Sequence, residues 1–333
     1  MSELSVEDYE DLPKQPHFAD VLKSLKAFDG KYPEATITTG LSGITAEQHD
    51  QLRSIWKTIP SNHRRTLVRE LALISETDFM MDYRRFGLFA LDDDDPAVRE
   101  AAVDMLWIDS STEAMNHLMQ LADKDPSNSV RAAAVSGLGR FIYQGEFEEI
   151  PQDAFEKVKQ TVVAIWSNQQ ETTEVRRRAL EAIANCSHEI VPSAIKYAYE
   201  SGDHLLQVSA IFAMGRSCDS QWGDIILDEI TSDDAELRFE AVRASGEITL
   251  EEAVPELILI AVDEDDREIQ EMAIWSLGEI GGQESVRVLN LLLETAEKRD
   301  DEGLVEAVEE AIANASLVNG DLFILSGDDD FSE

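Results

Sequence analysis

Apolar residues recur along most of this chain with a helical period, and one short pattern returns six times. It is clearest in "DDREIQEMAIWSLGEIGG", residues 265–282. Moved back by 32 residues, "DDAELRFEAVRASGEI" (233–248) matches it without a gap at the Asp pair, an aliphatic, an alanine and Gly-Glu-Ile. The polar residue after the first aliphatic serves as an anchor. The anchors are Arg99, Arg131, Arg176, Gln207, Arg238 and Gln270, at steps of 32, 45, 31, 31 and 32. One residue before each stands Val98, Val130, Val175, Leu206, Leu237 or Ile269, and three after each stands an alanine. Seven after come Leu106, Leu138, Ile183, Met214, Ser245 and Leu277.

Offsets −1, +3 and +7 share one face of a helix, so they predict a buried stripe on each anchored helix. The alanine lets a neighbouring backbone come close. A second apolar-periodic segment follows each anchored helix, as in "EEAVPELILIAV" (251–262) and "ESVRVLNLLLETAEK" (284–298). Each repeat then reads as a helix pair that cannot bury its apolar face alone and must stack on the next. The pairs Asp93-Asp94, Asp233-Asp234 and Asp265-Asp266 stand where carboxylates cap free N–H groups and meet the positive end of the helix dipole. The fold class expected is all-α, a solenoid of stacked helix pairs.

"DDDDPAVREAAVDML", "DPSNSVRAAAVSGLG", "TTEVRRRALEAIA", "DDAELRFEAVRASG" and "DDREIQEMAIWSLG" resemble HEAT repeats, of the short bacterial type known from phycobilisome lyases. The resemblance covers roughly residues 62–316 and implies a right-handed α-solenoid of about six clear repeats with degenerate end caps. "LVRELALIS" (67–75) resembles a degenerate first repeat and "GLVEAVEEAIANA" (303–315) a polar last one. Gln207 and Gln270 depart from the family's arginine, so a stacked-arginine ladder is expected to be interrupted there. The long step between Arg131 and Arg176 assigns "YQGEFEEIPQDAF" to an insertion on one edge of the stack.

In HEAT proteins the second helix of each pair lines the concave side, and the resemblance assigns the anchored helices to that role. Offsets +1 and +5 then face the groove. They are polar or small in the first three copies but present Val208, Phe212, Phe239 and Trp275 in the last three. Gly139, Gly215, Gly246 and Gly278 stand at +8, leaving bare backbone beside the aromatics, and Arg177, Arg216 and Arg243 are close in sequence register. Aromatic residues and arginine dominate interface hot spots, so Val208, Phe212, Phe239, Arg243, Trp275, Arg177 and Arg216 form a candidate partner-binding patch. The alternative is that superhelical twist turns these side chains onto the next repeat as core.

With 68 acidic and 28 basic residues the formal net charge is −40. That field repels phosphate backbones and excludes nucleic acid as the expected partner. Two readings of the acid stay open: a partner with a basic surface, or a solvated surface that serves solubility. The acid runs lack the glycine and twelfth-position glutamate of a calcium loop, and the six histidines show no HExxH pairing, so neither metal nor cofactor is expected. No phosphate loop, GxSxG or cysteine–histidine arrangement occurs, so no catalytic residue is assigned. The expected function is a non-catalytic scaffold or adaptor that binds another protein. The alternatives are a chromophore-attachment factor of the bilin-lyase kind, implied by the resemblance alone, and a self-assembling structural solenoid.

No apolar run approaches the ~18 residues that span a membrane. The polar opening "MSELSVEDYEDLPKQP" and the two cysteines, Cys186 and Cys218, read as reduced thiols, fit a cytoplasmic protein. Three regions are expected. Residues 1–44 form an acidic arm with one amphipathic helix, "HFADVLKSLKAF" (17–28), and a loose linker at 30–43. The solenoid spans 45–318, opened by a "TAEQ" capping box, and 319–333 is an acidic tail.

Overall fold

A computed structural model describes residues 15–318; the expected acidic opening and tail lie outside the described residues. Among these the chain is helical throughout, with two short 3-10 turns and no strand. It forms two compact units, Met1–Ala179 and Leu180–Glu333. The first contains α1 (Phe18–Ala27), α2 (Ala35–Leu41), α3 (Ala46–Trp56), α4 (Ser61–Thr77), α5 (Arg84–Ala90), α6 (Pro96–Met105), α7 (Thr112–Lys124), α8 (Asn128–Glu146) and α9 (Gln152–Ser167). Helix α10 (Thr173–Ile183) carries the boundary between the units. The second contains α11 (Val191–Tyr199), α12 (His204–Arg216), α13 (Gly223–Glu229), α14 (Ala235–Glu247), α15 (Val254–Asp263), α16 (Arg267–Ile280), α17 (Gly282–Lys298) and α18 (Glu302–Val318).

In the first unit α4, α6 and α8 pack in succession, with α5 against α6 and α7 against α8. In the second, α12, α14, α16 and α18 do the same, each paired with the helix before it. The cause is the stripe. Val98, Ala102 and Leu106, and likewise Leu206, Ala210 and Met214, or Ile269, Ala273 and Leu277, are all buried. Leu237 is the half-buried exception.

Carboxylate caps set the helix starts. Asp234 accepts from the backbone N–H of Glu236 and Leu237, and Asp266 from Glu268 and Ile269. Before α6 the cap is Asp95, and Asp93 is turned inward. There it accepts from Trp56 Nε1 at 2.6 Å and from Arg64 Nη2 at 3.0 Å. Thr45 and Gln48 make the expected capping box.

The anchors hold each pair together. Arg99 donates to the carbonyl of Asp93, Arg131 to Asp125, Arg176 to Trp166 and Arg238 to Ser232. Each of these carbonyls lies in the last turn of the first helix of the same pair or in the short connection after it. Gln207 and Gln270 make the same bond, to Tyr199 and Ala261 at 3.1 and 3.0 Å. The hold on the pair is therefore not interrupted. Three of the arginines also clasp an acid of the next repeat: Arg99 with Asp125, Arg131 with Glu171, Arg238 with Glu264. Glutamine is too short and uncharged for that second grip. Where it stands, the residue one turn earlier takes over: His204 reaches Asp234 at 2.9 Å, and Arg267 reaches Asp301 at 2.9 Å. Arg64, which the repeat alignment passes over, is a further anchor, donating to Ile59 and pairing with Asp93.

One expectation about the chain's organisation needs correction and one gains detail. Residues 30–43 are not a loose linker throughout: α2 forms there, burying Ile37 and Leu41 one turn apart, and the Tyr83 hydroxyl donates to the Thr38 carbonyl at 3.1 Å. The insertion after Arg131 is largely helical: α8 runs for 19 residues and α9 for 16, against 10 for α6. The extra residues largely become additional helical turns.

Candidate partner-binding row in the second unit

Helices α12, α14 and α16 bring Val208, Phe212, Phe239, Arg243 and Trp275 onto one stretch of the second unit, all half-buried. Arg243 lies over the Phe212 ring with its guanidinium carbon 4.1 Å from the centroid, and Arg216 stands 5.6 Å from the same ring. Such stacking holds the guanidinium flat and leaves its edge for hydrogen bonds. Arg177 falls in the first unit, where Glu174 pairs with it.

The glycines beside the aromatics are filled, which corrects the expectation of bare backbone. A methyl group on Gly246 would meet Trp275 Cζ3 at 2.8 Å and Ser276 Cα at 2.9 Å. On Gly278 it would meet the backbone of Ala311 at 2.8 Å, and on Gly215 it would run into the Glu247 carboxylate and Ala244. Glycine at +8 is thus the seat of the next repeat's helix. Trp275 lays one edge of its indole on Gly246 and is half-buried.

Sequence reasoning missed the acids of this row. Glu240 and Glu247 flank Arg243 on α14; Arg243 Nη2 lies 2.7 Å from Glu240 Oε2, and Nη1 lies 3.7 Å from Glu247 Oε1. Arg216 approaches Glu247 at 3.3 Å, and Glu181 accepts from the Ser209 hydroxyl at 2.6 Å. The Glu240–Arg243 contact is close but out of line: Arg243 Nε and Nη2, Glu240 Oε2 and Glu247 Oε2 are buried without a well-directed hydrogen bond. Burial pushes the Glu240 carboxyl up to about 7, against the pull of Arg243 and with Glu181 and Glu247 adding to the rise. Burial likewise raises Glu247. A signal was present in the sequence, since Glu240 and Glu247 lie at i−3 and i+4 from Arg243, a spacing that gathers charges on one face.

No group of three or more His, Cys, Asp or Glu among the described residues has the arrangement of a metal site. Cys186 is buried, its Sγ 3.3 Å from the Ile183 carbonyl, and Cys218 is exposed. Among the described residues no helix is long and apolar enough to cross a membrane.

Helix pairs stacked through an apolar stripe and joined by side chains from one repeat to the next define an α-solenoid of repeats. The family described as HEAT repeats matches residues 86–152 and 223–313, a little under half of the chain. No curated protein matches the sequence. Among solved structures, the chain is similar to YibA of Escherichia coli at 17% identity, over 91% of this chain and 99% of that one, with a TM-score of 0.45. It is similar to importin beta at 12% identity, over 90% of this chain and 46% of that one, with a TM-score of 0.44. Human deoxyhypusine hydroxylase follows at 14% identity, 90% and 96% coverage, and a TM-score of 0.34. Superpositions this loose bear on neither partner nor activity.

Proposed function

We propose that this protein is a non-catalytic interaction scaffold that takes a segment of another protein along the α12–α14–α16 row. One observation carries the reading: neighbouring repeats present Val208, Phe212, Phe239 and Trp275 beside a half-buried set of charges whose hydrogen bonds are incompletely directed. Apolar anchors supply binding energy and under-satisfied charges supply selectivity. The row holds three carboxylates, Glu181, Glu240 and Glu247, against two guanidinium groups, Arg216 and Arg243. It therefore favours a segment with a lysine or arginine next to an apolar side chain. Such a ligand would find Glu240, pushed up to about 7, partly protonated and draw it to the charged form.

The test is photocrosslinking in native extract with benzoylphenylalanine in place of Phe239, followed by sequencing of the captured peptide. A single crosslinked segment pairing a basic residue with an apolar one supports the reading, provided Phe212→Ala abolishes it while helicity is kept. Crosslinks no different from those of the same probe at Tyr197, an exposed site on α11, would exclude the row as a binding surface.

A further inference from the structure

The first unit holds a second site of opposite character. A pocket of about 500 Å³ opens between α3, α5 and the first half of α7. Arg53, Arg84 and Arg85 line it, all exposed, and none makes an ion pair among the described residues. That is unexpected in a chain with 68 acids for 28 bases, where most other arginines are paired. Three carboxylates share the lining: Asp82 accepts from the Arg84 backbone N–H at 3.0 Å, Asp92 sits 3.5 Å from His117 Nε2, and Glu113 is exposed. The floor is apolar, with Ile44, Leu88 and Phe89. His49 stands edge-on to Phe89 at 5.1 Å, and its Nε2 is buried with no hydrogen-bond partner.

Three unpaired guanidinium groups over an apolar floor suit a ligand that alternates carboxylates with apolar side chains. Residues 1–14, "MSELSVEDYEDLPK", have that composition: Glu3, Glu7, Asp8, Glu10 and Asp11 interleave with Leu4, Val6, Tyr9 and Leu12. Their point of attachment is beside the pocket. Gln15 Nε2 donates to the Ser42 carbonyl at 3.3 Å, and the next residue, Gly43, lines the pocket. Fourteen residues reach up to ~46 Å when extended, so the segment can lie across the site, and the tether gives an effective concentration of order mM. A free polyanion would have to overcome the −40 charge of the whole chain and would leave the apolar floor unused.

We propose that the Arg53–Arg84–Arg85 pocket binds a carboxylate-rich peptide with apolar side chains, and that residues 1–14 of this chain occupy it. This site is independent of the row in the second unit. The test uses the full chain carrying Glu7→Gln, Asp8→Asn, Glu10→Gln and Asp11→Asn, which weakens the tethered occupant. A labelled synthetic peptide of residues 1–14 is titrated in and followed by fluorescence anisotropy. The expected result is saturable binding, roughly tenfold weaker once Arg53→Gln, Arg84→Gln and Arg85→Gln are added. The unaltered chain binds the same peptide at least about fivefold more weakly, because its own segment competes. Circular dichroism checks that helicity is kept, and Arg287→Gln, Lys298→Gln and Arg299→Gln together remove equal charge elsewhere and leave binding unchanged. No binding by the four-acid variant, or equal loss with either arginine set, overturns the site. Equal binding by the unaltered chain and the four-acid variant overturns the in-chain occupant.

Discussion

Replacing Glu240 by glutamine should make the protein more stable at alkaline pH while leaving its acid-side stability nearly unchanged. Glu240 ionises at about 7 in the folded protein against 4.5 for the free group, and its side chain is only 16% exposed. Between those two values the native state holds a proton that the unfolded chain has released. Stability from this group is therefore full below about 4.5 and lost as pH rises through about 7. At 1.36 kcal/mol per pH unit the loss is roughly 3 kcal/mol. Glutamine keeps the shape and has no proton to lose. Urea denaturation of both proteins at pH 5 and pH 8, followed by circular dichroism, measures the gap directly. It should widen in favour of Glu240→Gln by roughly 2–3 kcal/mol from the lower to the higher pH. Glu247 titrates in both proteins and cancels to first order. A gap constant within about 0.5 kcal/mol would mean that Arg243 holds Glu240 charged throughout, and would refute the reasoning.

Other perturbations follow from the same contacts. Asp93→Ala strands the buried Arg64 guanidinium and the Trp56 indole N–H, and is expected to cost about 3–5 kcal/mol by urea denaturation; a loss below about 1 kcal/mol would deny the node its role. Gly246→Ala drives a methyl into Trp275 and the α16 backbone, costing about 1–3 kcal/mol and shifting the tryptophan emission. Asp266→Ala removes a cap that serves two N–H groups and should cost about 1 kcal/mol, with the first turn of α16 exchanging its amide hydrogens faster. Hydrogen bonding from Arg65 holds the Asp95 carboxyl below the ordinary range, so its stabilisation is present above about pH 4 and lost as pH falls below it. Asp95→Asn should accordingly be less stable than the parent at pH 7, with the gap narrowing as pH falls below about 4.

The repeat was readable because its causes are local. An aliphatic, an alanine and a second aliphatic on one helical face bury themselves whichever neighbour they meet, and Asp234 and Asp266 cap a helix within their own turn. The candidate row was readable only in part. Helical phase placed Phe212, Phe239 and Trp275 on one side, but how far each side chain is covered depends on how closely the next repeat approaches. That approach is what turned the glycines into seats and buried Glu240 and Glu247 with Arg243. The arginine pocket was invisible for a different reason: Arg53 stands on α3 and the adjacent Arg84 and Arg85 on α5, and no repeat spacing links the two helices.

The two grips of the anchor ladder are separable, and this bears on how such a chain can change. An arginine that both holds its own pair and clasps the next repeat would be an indispensable part if nothing else could do either job. Here the first job survives in glutamine, and the second has moved one turn upstream to His204 and Arg267. The two positions behave as one fastener with interchangeable seats. Substitutions at them are expected to mask one another, so that His204→Ala weakens the α12–α14 joint in the present background and is silent once Gln207→Arg has supplied the other seat. A solenoid built this way can exchange its fastenings one at a time along its length without any intermediate in which neighbouring repeats come unclasped.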